Sequence, residues 1–290
     1  MFFQQLINGI ILGSTYALIA LGYTMVYGII ELINFAHGEI YMFGAFVGMI
    51  LVTVYQVPFV IAFLLAMALA SLLGITVEYL AYRPLRRSTR LAALISAIGA
   101  SIFLQNLALL IMGARAYSFP SPFVSKIYKT SFFTVSRVEV IILIVSFLLM
   151  LGLTFLIQKT KIGIAMRATA QDKDTASLMG ININKVITST FAVGSALGAA
   201  AGVMVGIYFR SVTPMMGLMP GLKGFVAAVL GGIGSIPGAM LGGLLLGIAE
   251  VMGAAYISSQ YRDAIAFTIL IIVLLFKPSG LISSSLQEKV

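Results

Sequence analysis

The feature that most restricts the fold of this chain is a polar interruption at residues 159–186, which separates two long apolar runs. A helix that crosses a membrane cannot hold so many charges, so the chain must leave the hydrocarbon here. The interruption contains seven charged residues: Lys159, Lys161, Arg167, Asp172, Lys173, Asp174 and Lys185.

The composition shows what surrounds this interruption. The 290 residues are 60% apolar and 9% charged, with a mean hydropathy of +1.09, which is more apolar surface than one soluble core can bury. We predict an all-α polytopic membrane protein, a single transmembrane domain over residues 1–290. The absence of Cys excludes disulfides and thiolate metal sites. We expect no metal site and no catalytic residues, and the net charge of +9 indicates topology rather than nucleic-acid binding because it is confined to connectors.

The apolar runs predict about eight transmembrane helices. The expected spans are residues 1–30, 40–55, 58–82, 91–112, 139–157, 187–208, 238–256 and 264–276. The second run is short, and glycines and a proline interrupt the sequence before the seventh. We therefore expect broken or re-entrant segments near 34–39 and 222–237. The sequence leaves open whether 222–237 crosses, and with it the side of the C-terminus.

Basic residues predict the orientation. Residues 83–90 contain four arginines, and residues 159–186 contain five Lys or Arg. Cytoplasmic connectors are enriched in Lys and Arg, so both segments are predicted to be cytoplasmic. Counting spans back from residue 83 then places the N-terminus outside.

Local signals within the cytoplasmic segment 159–186 predict a short helix at about 173–179. Asp172 is a favourable N-cap, Asp174 lies in the first turn, and Gly180 stands where a left-handed residue ends a helix. One interpretation is an ordinary connector. The other is a docking element that presses small and apolar side chains, such as Ala176, into a partner.

A second polar segment, residues 34–39, follows the first span. We expect Asn34 to cap the next helix, Gly38 to take unusual dihedral angles, and Glu39 to lie at the positive start of that helix. On this interpretation His37 and Glu39 only hold a broken helix together. On the alternative, Asn34, His37 and the exposed amides line a translocation path, since polar groups inside a membrane are often functional.

Glycine patterns add two further expectations. Small residues at every fourth position of the sixth span predict a close helix contact. These residues are Gly194, Gly198, Gly202 and Gly206. A glycine-rich break at Gly234 and Ser235 precedes a Gly-Ala helix, as the break at Gly38 does, and paired interruptions point to a translocation path. Gly234 and Ser235 are therefore path candidates as well.

Three ordered motifs resemble those of a known family. They are INFAHGE at 33–39, DTASLMGI at 174–181 and GFVAAVLGGIGSIPGAMLGGLLLG at 224–247. Together they resemble the LivH-type permease subunits of bacterial branched-chain amino acid ABC importers, over essentially the whole chain. The resemblance implies a multi-pass protein of the bacterial cytoplasmic (inner) membrane that imports leucine, isoleucine, valine or a similar neutral amino acid.

The motif at 174–181 resembles the Glu-Ala-Ala-x-x-x-Gly loop with which import permeases dock into their ATPases, with Thr replacing the middle Ala. This implies a coupling role for Asp172, Asp174, Thr175, Ala176 and Gly180. The family implies as partners a second, LivM-type permease, two cytoplasmic ATPase subunits and an extracytoplasmic substrate-binding protein. The sequence has no Walker A pattern, so we expect no directly bound cofactor, with ATP used by the partner subunits.

Two other functions are compatible with the residues. An ABC permease for another small polar solute, such as urea or a short amide, is one. An ion-coupled secondary transporter is the other, and it would use carboxylates inside the membrane. The candidates are Glu31, Glu39, Glu78 and Glu250, of which Glu78 and Glu250 are expected at span ends near the interface.

Overall fold

The computed structural model describes residues 1–86, 88–130 and 133–282, so Arg87 of the arginine-rich loop lies outside the described residues. The elements run in the order α1 (Phe2–Ile30), α2 (His37–Thr53), α3 (Phe59–Val77), a π-helical turn (Glu78–Tyr82), a 3-10 turn (Arg83–Leu85), α4 (Arg90–Met112), β1 (Tyr117–Ser118), β2 (Ile127–Lys129), β3 (Thr134–Ser136), α5 (Arg137–Lys159), α6 (Lys161–Gln171), α7 (Lys173–Leu178), α8 (Ile183–Phe209), β4 (Ser211–Val212), α9 (Leu218–Gly231), α10 (Ile236–Tyr256), a 3-10 turn (Ser259–Tyr261) and α11 (Arg262–Phe276).

Seven helices in the described part of the chain are long and apolar enough to cross a membrane. They are α1, α3 with its continuation to Leu85, α4, α5, α8, α10, and α11 with the turn before it. The predicted all-α polytopic fold is confirmed. The prediction of about eight spans also counted α2, which with 17 residues is one of two shorter apolar helices.

The other short apolar helix is α9, with 14 residues. α2 follows the irregular residues 31–36, and α9 follows the irregular residues 213–217. The break expected near 222–237 lies at residues 232–235, where Gly232 and Gly234 have φ of 107° and 91°. The irregular segment 213–217, before α9, was not predicted.

α1 is the central helix of the bundle and packs against α8, α9 and α10. Its approach to α10 requires small residues, because a Cβ at Gly9 would lie 2.7 Å from the Cα of Ile248. Near the other end of α1, Gly28 faces Gly234. The two helices are therefore antiparallel and touch backbone to backbone.

The glycine stripe of the sixth predicted span lies on α8, mainly where this helix packs against α1 and α2. The neighbours are Gly22 for Gly194, His37 for Gly198, Tyr41 for Gly202 and Phe119 for Gly206. A Cβ at Gly202 would overlap the carbonyl oxygen of Tyr41. Close packing of α8 against α2 thus depends on the missing side chain.

One end of the bundle, here called the N-terminal end, holds the start of α1 and the connector between α4 and α5. The side chain of Gln4 donates to the carbonyl of Thr134 at 2.9 Å. Two short antiparallel ribbons lie here, β1 paired with β4 and β2 paired with β3. The end of α8 reaches the same region through β4.

The opposite end, here called the α7 end, holds α6, α7 and the arginine-rich loop. Arg86 of that loop donates to the side chain of Asn184 at the start of α8, so the two basic segments share one end. The amides of Leu281 and Ile282 donate to carbonyls at the end of α9. The last described residues therefore lie at the α7 end, and α9 with the segment before it completes a crossing.

Candidate functional site

The segment that joins α1 to α2 is not helical, and two of its residues, Asn34 and Ala36, are buried. α1 ends at Glu31 in the left-handed conformation, and the first amide of α2, at His37, donates to the carbonyl of Asn34 at 3.0 Å. The predicted side-chain cap by Asn34 is wrong. Its Oδ1 accepts from the hydroxyl of Tyr82 at 3.1 Å, because the π-helical turn after α3 brings this ring into the break.

The ring of His37 fills the contact between α1 and α8. A Cβ at Gly22 would overlap the ring, and a Cβ at Gly198 would lie 3.0 Å from its Cε1. The ring also packs edge-on against Tyr23, with centroids 4.8 Å apart. His37 therefore supports helix packing, and it lines neither of the two cavities beside α2.

Gly38 lies where the start of α2 meets the start of α9. It is an ordinary helical residue without positive φ, so the expectation of unusual dihedral angles is wrong. A Cβ at Gly38 would overlap the carbonyl oxygen of Gly217. A Cβ at Gly217 would likewise overlap the carbonyl oxygen of Gly38. Glycine is needed at both positions because the two short helices meet backbone to backbone.

Glu39, in the first turn of α2, faces a cavity of about 180 Å³ between α1, α2, α4 and α9. Most of its lining is apolar, but three more polar side chains, Tyr23, Ser101 and Gln105, also line it, and it is here called the polar cavity. The residue is 2% exposed. Its Oε1 accepts a long hydrogen bond of 3.4 Å from Ser101, and its Oε2 has no hydrogen-bond partner among the described residues.

Glu39 also lines a second, apolar cavity of about 220 Å³ between α2, α3 and α4. The other residues around this cavity are apolar and include Met42, Phe46, Leu104 and Ile111. A single carboxylate thus borders one cavity that has several polar side chains among apolar ones and one that suits an aliphatic group.

The last two path candidates lie elsewhere. Ser235 caps α10, and Gly234 contacts Gly28 beside a cavity of about 80 Å³ at the α7 end. Gly28 is about 9 Å along the axis of α1 from Gly22, where His37 makes its contact. The structure therefore does not bring Gly234 and Ser235 together with Glu39.

Within the polar interruption, α7 coincides with the helix predicted at about 173–179. Asp172 Oδ1 accepts from the amides of Asp174 at 2.9 Å and Thr175 at 3.0 Å. Gly180 has φ of 83° just after the helix. The polar signals of capping thus locate this helix from the sequence.

The sequence reasoning missed α6, which precedes α7. A signal was available, because the buried residues of α6 recur at every third position, as one face of a helix does. They are Gly163, Met166 and Thr169. The basic residues of this stretch indicated only a cytoplasmic connector.

The C-terminal end of α7 exposes two apolar side chains, whereas the rest of its exposed surface is polar. Ala176 is buried, whereas Leu178 and Met179 are 87% and 79% exposed. Exposed apolar side chains in a polar connector mark a candidate contact surface for another protein.

Glu250 is the centre of a buried ionic cluster that the sequence reasoning did not find. It accepts from Lys223 Nζ and from the hydroxyl of Tyr16, both at 2.9 Å, and Arg262 Nε lies 3.2 Å away. Lys223 also pairs with Asp263 at 2.6 Å. Glu250, expected at a span end near the interface, is buried among four helices. No local pattern pairs residues so distant in sequence.

Glu78, also expected at the interface, is fully buried as well. It opens the π-helical turn after α3, forms an ion pair with Arg86 and accepts from Thr188 Oγ1 at 2.9 Å. This contact ties the end of α3 to the start of α8.

The chain is similar along its whole length to known transport permeases. The chain is 48% identical to the high-affinity branched-chain amino acid transport system permease protein LivH of Escherichia coli (strain K12), covering 100% of this chain and 98% of that protein. It is 47% identical to BraD, a permease protein of the same description from Pseudomonas aeruginosa, with the same coverage. The probable LivH of Methanocaldococcus jannaschii is 28% identical over 94% of this chain and 90% of that protein.

Among solved structures, a chain of PsaBC from Streptococcus pneumoniae in complex with Fab has a similar fold, with a TM-score of 0.50 and 12% identity. The match covers 94% of this chain and 91% of that chain. Residues 5–274 match the family model described as branched-chain amino acid transport system, permease component. The chain therefore belongs to the family of branched-chain amino acid transport permease components.

Proposed function

We propose that this chain is the membrane-spanning permease subunit of an ATP-driven importer for branched-chain amino acids. The observation that carries the proposal is the 48% identity over the full chain to relatives named high-affinity branched-chain amino acid permeases. The apolar cavity beside Glu39 is compatible with substrates that have aliphatic side chains. The chain is a transport subunit rather than an enzyme.

The translocation path in this proposal runs beside the start of α2. Gly38 and Glu39 line the polar cavity there. Asn34 and His37 support the broken helix from behind, through Tyr82 and the α1–α8 contact. A path at this place explains why a polar segment is kept inside an apolar bundle.

Coupling to ATP is assigned to α7. Its cap at Asp172, its buried Ala176 and the left-handed Gly180 form a compact projection with an exposed apolar tip. The partners are a LivM-type permease, two cytoplasmic ATPase subunits that use the ATP, and an extracytoplasmic binding protein. The membrane is the bacterial cytoplasmic membrane, with the α7 end inside.

Uptake in cells tests the function. Deleting the gene for this chain should abolish ATP-dependent uptake of radiolabelled leucine, isoleucine and valine, and a plasmid copy should restore it. Unchanged uptake of all three amino acids, or loss of urea uptake instead, would contradict the proposal.

The substitution Gly180→Val tests coupling, because a β-branched residue resists positive φ. We expect the chain to insert normally, while co-purification of the ATPase subunits and ATP-driven uptake both fall. Gly152→Val is the matched control, since Gly152 also has open space around it but lies within α5 without positive φ. Equal ATPase co-purification and equal uptake for the two variants would contradict the assignment of α7 as the docking element.

The orientation is tested by single cysteines in this cysteine-free chain. Ser125→Cys at the N-terminal end should react with an impermeant maleimide added outside. Gln171→Cys at the α7 end should react only after the membrane is permeabilised. Both positions are exposed, whereas Thr169 in the same helix is buried and unsuitable. The reverse labelling pattern would invert the orientation.

A further inference from the structure

The starting point is a carboxylate that lacks a cation. Glu39, Glu78 and Glu250 are all deeply buried. Glu78 pairs with Arg86, and Glu250 pairs with Lys223. Among the described residues, no Lys or Arg side chain forms an ion pair with Glu39.

The hydrogen bonds of Glu39 do not compensate for the missing cation. A buried charge without a partner is unfavourable by several kcal/mol, and a buried acceptor is nearly always satisfied. Glu39 has one hydrogen bond, from Ser101 at 3.4 Å, which is longer than an ordinary O–H···O bond. Its free Oε2 lies 3.1 Å from the position that a Cβ of Gly217 would take, beside the start of α9. The adjacent starts of α2 and α9 favour the charged carboxylate, but they bring no donor to Oε2.

The chemistry of the missing partner follows from these contacts. An ionised carboxylate only accepts hydrogen bonds, so the partner must be a donor, and a cation suits it best. Tyr23 and Gln105 line the same polar cavity, and their side chains carry a hydroxyl and an amide that can donate to an anionic group. The apolar cavity of about 220 Å³ that Glu39 also lines has room for a branched aliphatic group.

We propose that Glu39 binds the α-ammonium group of the amino acid in transit, with the aliphatic side chain in the cavity lined by Met42, Phe46, Leu104 and Ile111. This inference rests on the proposed function and names the substrate contact within it. Glu39 then makes the permease itself selective for aliphatic compounds that carry an ammonium group. It rejects the corresponding carboxylic acids, which leave Oε2 unpaired.

The test uses protection from labelling in the assembled complex, reconstituted in lipid nanodiscs. Because the chain has no Cys, a cysteine at Ser101 reports on the polar cavity and one at Leu104 reports on the apolar cavity. A small methanethiosulfonate reagent is added with leucine, with 3-methylbutan-1-amine, or with 4-methylpentanoate. Gly99→Cys, on the same helix with open space around it, is the control reporter.

We expect leucine and the amine to slow labelling at both cavity reporters, and 4-methylpentanoate and the control reporter to show no protection. With Glu39→Gln, equal protection should need at least about tenfold more leucine, since charge-assisted hydrogen bonds are the strong ones. Glu39→Asp, which keeps the charge, should fall between. ATPase co-purification shows that each variant is assembled.

Two results would overturn the inference. One is equal protection by leucine in assembled complexes with and without the substitution Glu39→Gln. The other is absence of protection at both reporters in a complex that imports leucine. If the unmodified complex does not import leucine at all, the proposed function itself fails, and uptake assays identify that case separately.

Discussion

The regions around Glu250 and Glu39 each contain a buried carboxylate, but the two carboxylates have opposite surroundings. Glu250 receives Lys223, Tyr16 and Arg262 from three helices, so its charge is balanced within the chain. Glu39 receives one long contact from Ser101, and its Oε2 has no hydrogen-bond partner in the described part of the chain. Both are almost completely buried, so exposure does not explain the difference.

The difference separates structural from functional charge. A buried ion pair with all its hydrogen bonds made holds helices together. Removing one partner lowers the free energy of unfolding far more than replacing both partners by apolar residues does. An under-satisfied carboxylate contributes little to folding and is available to a ligand. The cluster at Glu250 therefore fixes α9, α10 and α11 against α1, whereas Glu39 leaves its site ready for an incoming cation.

The largest effect is expected for Lys223→Met, which leaves Glu250 with the Tyr16 hydroxyl and, as its cation, a half-exposed arginine. Breaking a buried pair by removing one partner should lower the free energy of unfolding by about 3 kcal/mol. The measurement is unfolding in mixed detergent and SDS micelles, followed by circular dichroism because the chain has no Trp.

The double variant with Lys223→Met and Glu250→Met is the control for that measurement. Replacing both charges by apolar groups should recover the free energy of unfolding to within about 1 kcal/mol of the unsubstituted chain. A double variant as unstable as the single one would mean that volume rather than charge determines stability at this cluster.

A smaller effect on stability is expected for Glu39→Gln. No cation loses its partner, and the desolvated charge disappears, so the free energy of unfolding should change by no more than about 1 kcal/mol or should rise. Glu250→Gln is the matched comparison and should destabilise the chain clearly. If the two glutamine variants unfold alike, the contrast between the two regions is lost.

The smallest effect is expected for Ser101→Ala. The hydrogen bond that it removes is 3.4 Å long, so the free energy of unfolding should fall by about 0.5 kcal/mol or less. Thr188→Val removes a bond of 2.9 Å to Glu78 and should have the larger effect of about 1 kcal/mol. The reverse order would show that Ser101 holds Glu39 in place.

Local signals in the sequence predicted local structure well. Capping chemistry located α7 from Asp172 and Gly180, because an N-cap and a left-handed terminus involve only neighbouring residues. The apolar runs predicted the polytopic fold for the same reason. The expected cap at Asn34 failed because Tyr82, distant in sequence, took its side chain instead.

The candidate site was only partly predictable. The sequence indicated the polar segment 34–39 but could not separate His37, which packs between helices, from Glu39, which faces the cavities. That separation depends on which helices surround each side chain. The pairing of Lys223 with Glu250 likewise depends on contacts between α9 and α10, for which spacing along one helix gives no signal.

The central position of α1 has a consequence for how the protein is made. α1 is synthesised before the helices that it packs against, and Tyr16 finds its partner Glu250 only 234 residues later. Contacts so distant in sequence form slowly, because the intervening chain must be ordered first. Until α8 and α10 have entered the bilayer, the glycine faces of α1 are covered only by lipid or by the insertion machinery. The core of the bundle therefore closes only after α10 has been made, and a chain truncated before α10 lacks the helix that packs along that face.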